Sequence, residues 1–366
     1  EERQEQIGWM HHWLQDRLGV DATGLWLTER VWEPGLVRDL ADVGVEYVFL
    51  DDRHFLVAGH AREELHRPWR TESEGRELTL LPIDERLRYL VPFRPAERLA
   101  DYLRTLGDAG HPMAVLADDG EKFGGWPGTE AWVWDGGWMD DFLRTMDDLQ
   151  ASGRVRLATP STLLDELEPA GLTYLPSASY REMEGWSLPP DAAARMERLE
   201  EGLAEDDPAR AHVRGGHWRS FLSRYPESNR MHKKAAWLSR LCREAGDPPG
   251  VRRDIGAAQC NDAYWHGVFG GLYLRHLRGA IWARLARAEA RLREGQPLEV
   301  EERSLYAEGT RELLVHGEAC SLVVRPDRGG SLSELTRFAS ERNLADVLTR
   351  RRESYHPDGS SDAGNP

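Results

Sequence analysis

In its first half the chain alternates short apolar runs with amphipathic segments, and no other feature limits its fold so tightly. QIGWMHHWLQDRLG spaces Ile7, Met10, Leu14 and Leu18 three and four apart, a helical period. GLWLT follows as a strand. PGLVRDLADVG predicts a helix opened by Pro34 and closed by Gly44, and VEYVFLDD predicts the next strand. AERLADYLRTLGDAG, HPMAVLADDG, WMDDFLRTMDDLQASG and VRLATP continue as helix, strand, helix and strand. Such alternation needs crossover connections, which predicts an α/β fold with a parallel sheet, open or closed into a barrel. Chemistry in these sheets gathers at the carboxyl ends of the strands.

Acids stand at those ends. Glu29 lies just beyond GLWLT, Asp51 and Asp52 just beyond VEYVFL, and Asp118, Asp119 and Glu121 just beyond PMAVLA. One acid there is an ordinary loop residue; three apolar runs ending in acid at one edge describe an anionic cleft. If DDGE keeps strand alternation, Asp119 and Glu121 point to one side and Asp118 to the other. Crowded carboxylates raise one another's pKa, as a general acid needs at neutral pH, so Asp119 suits proton donation to a leaving oxygen. Glu29, beside Arg30, suits an ionised nucleophile. A carboxylate pair about 5 Å apart across a glycosidic bond cleaves with retention, through a covalent glycosyl-enzyme.

Composition narrows the partners. With 47 Lys plus Arg against 63 Asp plus Glu, the net charge of -16 leaves a phosphate backbone without a partner unless a local basic patch exists. The clusters RLRYLVPFRP and TRRRES are bounded by acids or apolar residues and read as solvated surface, so no nucleic-acid partner is expected. No apolar window reaches the roughly 18 residues of a membrane span, so no membrane partner is expected either. Cys242, Cys260 and Cys320 lie far apart without CxxC spacing and are read as reduced and structural. His11 and His12 are adjacent on one helix and cannot both face one metal, His232 is read as a surface or satisfied histidine, and His54 beside Asp52 is left without a role. No metal and no cofactor is expected, and DDGEKFGG lacks the GKS or GKT ending of a phosphate loop. Tryptophan is abundant, at 14 residues, and its rings serve cores and sugar faces alike.

GLWLTERVWEP, LADDGEKFGGWPG and QCNDAYWHGVFGGLYL resemble three characteristic segments of glycoside hydrolase family 57, nearest its 4-α-glucanotransferase and α-amylase-like members. YLPSASYREMEGWSLP, ESNRMHKK, RGGSLSEL and RRESYHPD agree in order, so the resemblance runs over nearly the whole chain. It implies Glu29 as nucleophile and Asp119 as acid/base, with Trp26, Glu121, Trp126, Asp262 and Trp265 touching the glucan. From the residues themselves, Asn261 or Asp262 can cap a helix running through FGGLYLRHLRGAIWARLARAEARLRE, with Asp262 and Trp265 on one face of its first turn. A plain cap at Asp262 and a core role for Trp265, Phe269 and Tyr273 remain open. Gly267, Gly270 and Gly271 weaken a helix there, which suggests close packing or ligand approach.

The resemblance implies a distorted (β/α) barrel of the seven-stranded type. Residues 1–185 are expected to form a partial barrel, residues 186–297 a helical domain completing the cleft, and residues 298–366 the start of a β-sandwich that breaks off in DGSSDAGNP. The family's paired-histidine segment ahead of the nucleophile, and a later segment bearing another functional glutamate, find no counterpart. The chain, which begins without methionine, therefore reads as an internal fragment, inactive alone and with exposed sheet edges. The expected function is retaining cleavage of α-1,4-glucans, with transfer of the glycosyl group preferred over hydrolysis. An α-amylase, a catalytically silent glucan-binding homologue and a metal-dependent deacetylase are the alternatives, the last resting on His54 beside Asp52. The substrate is expected to be an α-glucan or maltooligosaccharide, assembly where it occurs a homodimer, and the cytoplasm the default location.

Overall fold

The structure, a computed structural model, describes residues 2–204 and 207–356; the tail DGSSDAGNP lies outside the described residues. Two compact units are present, one running to Arg181 and including 203–214, the other formed by 182–202 and the chain from 215 onward.

In the first unit α1 (Glu2–Leu18) leads to β1 (Gly24–Trp26), α2 (Leu36–Ala41), β2 (Tyr47–Asp51), α3 (Asp52–Leu56), β3 (Trp69–Ser73) and β4 (Arg76–Ile83). The sheet order is β1-β2-β4-β3, with β1, β2 and β4 parallel and β3 antiparallel to β4. Trp26 stands opposite Phe49 and Phe49 opposite Leu81, which aligns the carboxyl ends of three strands. Period-two alternation sends Val48, Leu50, Leu78 and Leu80 to the face covered by Val37 and Leu40 of α2, while Tyr47 and Leu81 face Met113 on the other side. Then come α4 (Glu85–Leu90), α5 (Ala96–Asp108), α6 (Trp138–Ala151) and α7 (Pro160–Glu166). The Asp84 carboxylate caps α4 by accepting from the Arg86 N–H (2.9 Å), and Leu99 of α5 packs with Trp138, Met146 and Leu149 of α6.

Two predicted strands do not form. HPMAVLADDG runs extended: the Asp84 N–H bonds the Val115 carbonyl (3.0 Å) and Met113 is buried, yet no ladder develops among the described residues. VRLATP likewise stays outside the sheet. Conversely, the β3–β4 hairpin was not anticipated. It turns at Glu74 and Gly75, both at positive φ (53° and 76°), the conformation that matches the twist of paired strands.

The second unit contains α8 (Arg181–Trp186, entered from the first unit), α9 (Pro190–Glu201), α10 (Ser220–Arg224), α11 (Pro226–Glu244), α12 (Pro249–Ala257) and α13 (Arg275–Leu292). An antiparallel meander follows: β5 (Glu299–Arg303), β6 (Glu312–His316), β7 (Cys320–Arg325), β8 (Ser331–Arg337) and β9 (Arg342–Asn343). Lys234 of α11 is buried between Glu289 of α13 (2.7 Å) and Glu334 of β8 (3.0 Å), joining helices to sheet. The helix expected from Asp262 onward begins only at Arg275. Residues 261–263 and 271–273 each make one tight turn, so neither Asn261 nor Asp262 caps α13. Glycine explains the delay: a Cβ on Gly271 (φ 44°) would stand 2.3 Å from the Trp265 carbonyl, and one on Gly267 would meet the Trp186 ring at 2.7 Å. Cys242 is buried as expected, but Cys260 is exposed and supports no core.

Candidate active site

Leaving β1, the backbone turns sharply through Thr28–Arg30, with Glu29 at φ 53°, ψ 22° and Arg30 at φ 45°. Two successive left-handed residues that are not glycine cost on the order of 1 kcal/mol each, and persist only where surrounding contacts fix them. Those contacts are present. The Arg30 N–H reaches the Leu27 carbonyl (2.9 Å), Trp32 and Ala178 exchange backbone bonds (2.8 and 3.2 Å), and the buried Trp32 indole donates to the Leu175 carbonyl (3.1 Å). His54 spans the carbonyls of Arg30 (2.8 Å) and Asp51 (3.0 Å), which ties the turn to the end of β2. Burial holds His54 below its ordinary pKa against the charge of Asp51. From this turn Glu29 Oε2 accepts a bond of 2.7 Å from the Tyr180 hydroxyl.

Arg30 is buried. Its guanidinium lies over the rings of Tyr180 (4.4 Å) and Trp26 (5.7 Å), and its Nε is 3.2 Å from Asp51 Oδ2. Asp51 also meets Arg88 Nη1 (3.2 Å); Arg88 Nη2 reaches Asp118 (3.1 Å) and stands 4.0 Å from Asp119 Oδ2. Lys122 pairs with Asp118, donates to the Arg88 carbonyl (2.9 Å), and rests over Phe93 (5.2 Å) and Trp126 (5.7 Å). A continuous charged array thus runs from the Glu29 turn to Asp119. Burial works to raise the Asp51 pKa, but the charge of Arg30, aided by His54 and Arg88, keeps it below the carboxylate range. Asp52 goes the other way: burial first, then the Asp51 charge, pushes it well above that range. Burial lowers Lys122 despite Asp118, whereas Asp51 and Asp118 outweigh burial at Arg88 and raise it.

The array departs from the sequence expectation in three places. Gly120–Phe123 form a tight turn, so strand alternation does not continue beyond Asp119, and Glu121 is exposed. Instead of a carboxylate crowd, Asp119 has a cation: Asp118 turns inward to Arg88 and Lys122, and Arg88 serves both acids. RLRYLVPFRP is not merely solvated surface, because its Arg88 side chain is 13% exposed.

Around the acids stand aromatic faces. Trp26 is partly exposed with its ring 6.4 Å from Phe49, and Trp126 stacks on Phe93 (6.0 Å, 21°). The Glu121 carbonyl accepts from the Gly125 (2.7 Å) and Trp126 (3.0 Å) amides, so the turn carrying Glu121 sets the approach of Trp126. Asp262 and Trp265 belong to the second unit. Asp262 is exposed; Trp265 stacks on Trp186 (6.0 Å, 18°), and its indole nitrogen is buried without a hydrogen-bond partner among the described residues. Tyr180, His54, Arg88 and Lys122 were not assigned roles from sequence; the YLPSASYREMEGWSLP segment carried Tyr180, but nothing local linked it to Glu29. His232 is partly buried on α11, where burial and then Lys233 lower its pKa to about 4. The ring nitrogens of His54 lie at backbone carbonyls, and among the described residues no three His, Cys, Asp or Glu side chains are arranged to hold a metal.

The parallel strands thus end in a fixed acid, with a second acid beside an arginine and partly exposed tryptophans in the same unit. The chain belongs to glycosyl hydrolase family 57, which matches residues 1–176, and the middle and C-terminal domains described as alpha-amylase/4-alpha-glucanotransferase match residues 216–292 and 306–363. It is 44% identical over 361 residues to the 4-alpha-glucanotransferase of Thermococcus litoralis, covering 97% of this chain and 53% of that protein. It is also 44% identical over 368 residues to the alpha-amylase of Pyrococcus abyssi, covering 99% and 54%. The crystal structure of the Thermococcus litoralis enzyme superposes with a TM-score of 0.89 at 43% identity, over 96% of this chain and 54% of that one. The chain spans about half the length of the curated relatives it matches. No helix among the described residues is long and apolar enough to cross a membrane.

Proposed function

We propose that this chain contributes the reacting acids of a retaining 4-α-glucanotransferase, and that its four-stranded sheet is part of a seven-stranded (β/α) barrel. The observation that carries the reading is the Glu29 turn, a strained backbone fixed at a strand end, with Tyr180 bonded to the carboxylate and a charged array leading to Asp119. In this reading Glu29 attacks the anomeric carbon while Asp119 protonates the departing glycosidic oxygen. Asp119, now ionised, then takes the proton from the hydroxyl of an acceptor glucan, which displaces Glu29. Tyr180 and Arg30 orient the nucleophile; Trp26, Trp126 and Trp265 offer faces to glucose rings, with Glu121 and Asp262 as polar contacts. Support for an α-1,4-glucan comes from relatives named for 4-alpha-glucanotransferase and alpha-amylase activity. Hydrolysis by the same acids is the second reading, carried by the relatives named alpha-amylase. Incubating the full-length gene product with maltoheptaose separates them. Longer and shorter oligosaccharides appearing together with little new reducing sugar support transfer, shorter products alone mean an α-amylase, and no change overturns both.

A further inference from the structure

Glu353 is 2% exposed, although Arg352 and Ser354 on either side of it are exposed. A carboxylate buried so deeply needs strong donors. Arg224 donates from Nη2 to both oxygens, at 2.6 Å to Oε1, and the Tyr225 hydroxyl donates to Oε1. His266 Nε2 stands 3.4 Å from Oε1, and the Tyr355 hydroxyl meets the other ring nitrogen of His266. Burial favours the neutral acid, but His266, Arg224 and Tyr225 together hold Glu353 below the carboxylate range.

Several contacts of this network lead back to one loop. His266 follows Trp265 directly in the chain; its ring packs on Phe221 (4.9 Å), Tyr225 (5.0 Å) and Tyr273 (4.8 Å), and Phe221 in turn packs on Trp265 (6.4 Å). The Tyr273 hydroxyl, at the far end of the loop, lies 2.5 Å from that of Tyr225. Arg224, while holding Glu353, also donates to the carbonyls of Trp186 (3.0 Å) and Leu188 (2.6 Å), which fixes the residue whose ring stacks on Trp265. Among the described residues the Trp265 indole N–H is left unsatisfied, at a cost of roughly 1–3 kcal/mol.

We propose that Glu353 is a positioning residue for glucan recognition: through Arg224, Tyr225 and His266 it fixes the Trp186–Trp265 pair and thereby sets the affinity for the sugar chain. The assignment rests on the place of Trp265 in the reading above. Glu353 touches no substrate; its role is to remove the freedom of a loop rich in glycine, so that the ring face is ordered before the ligand arrives.

The test measures maltoheptaose binding by calorimetry in the full-length protein carrying Glu29→Gln, which prevents turnover. Glu353→Gln should weaken binding roughly tenfold and Tyr355→Phe roughly threefold, since each loses hydrogen bonds to an ordered buried group. With Glu29 restored, both losses should fall on KM rather than kcat. In a Trp265→Ala background neither change should weaken binding further. Tyr355→Phe removes one hydroxyl and serves where Glu353→Gln does not fold. Undiminished binding in Tyr355→Phe and Glu353→Gln alongside a loss in Trp265→Ala overturns this proposal alone, as does an equal loss with and without Trp265. Undiminished binding in Trp265→Ala overturns both it and the glucan-contact reading beneath it.

Discussion

Two of the buried charge clusters among the described residues are built oppositely. At the strand ends of the first unit, Arg30, Arg88 and Lys122 face Asp51 and Asp118, an excess of cations that opens outward to the partly exposed Glu29 and Asp119. In the second unit, Lys234 faces Glu289 and Glu334 within a sealed contact of helices and sheet, an excess of acid from which burial pushes Glu334 upward in spite of Lys234. A cation-rich frame with acids at its mouth can steady carboxylates that must change charge during a reaction. A sealed acid-rich cluster can only hold structure together. The difference in charge balance and access separates the proposed site from a joint where the residue types are alike.

Four substitutions can break or sharpen that contrast. Glu29→Gln should lower kcat by at least about a thousandfold with the melting temperature unchanged, because it removes the proposed nucleophile from a frame that stays intact. Lys234→Met should do the reverse, destabilising by about 3–5 kcal/mol in urea titrations by leaving two buried carboxylates uncompensated, while the folded fraction keeps its kcat. Arg88→Met should reduce kcat about a hundredfold and cost some stability, since it strips the cation shared by Asp51, Asp118 and Asp119. A change confined to stability would place Arg88 with the joint. Tyr180→Phe should cost only about tenfold in kcat/KM, the value of one hydrogen bond to a charged group.

Titration offers a gentler probe of the joint. The folded state binds the Glu334 proton more tightly than the unfolded chain does, so the contribution to stability is full below the ordinary glutamate range and is lost as pH rises through the folded pKa. Glu334→Gln should therefore flatten the fall of the urea midpoint above that range. An unchanged slope would show that Glu334 carries no extra proton.

What the sequence disclosed follows the range of the forces involved. The helices of α5 and α6 and the two-sided apolar β2 were legible because each writes its own period into adjacent residues. The β3–β4 hairpin was missed because its turn uses Glu-Gly, a weaker signal than Asn-Gly. The helix from Asp262 was overdrawn because apolar period cannot show that Gly271 must approach the Trp265 carbonyl. Glu29 and Asp119 stood out as acids closing apolar runs. Their partners did not: Tyr180 lies 151 positions from Glu29, and Arg88 sat in a stretch whose charge resembled ordinary surface.

The claim on which all this turns is that Glu29 forms the bond to sugar. The direct measurement is to trap the full-length enzyme with a slow fluorinated maltosyl fluoride, digest it and find the labelled peptide by mass spectrometry. The account predicts a maltosyl adduct on the peptide containing Glu29, absent from Glu29→Gln. An adduct on the Asp119 peptide, or turnover of maltoheptaose by Glu29→Gln at the parental rate, would contradict it.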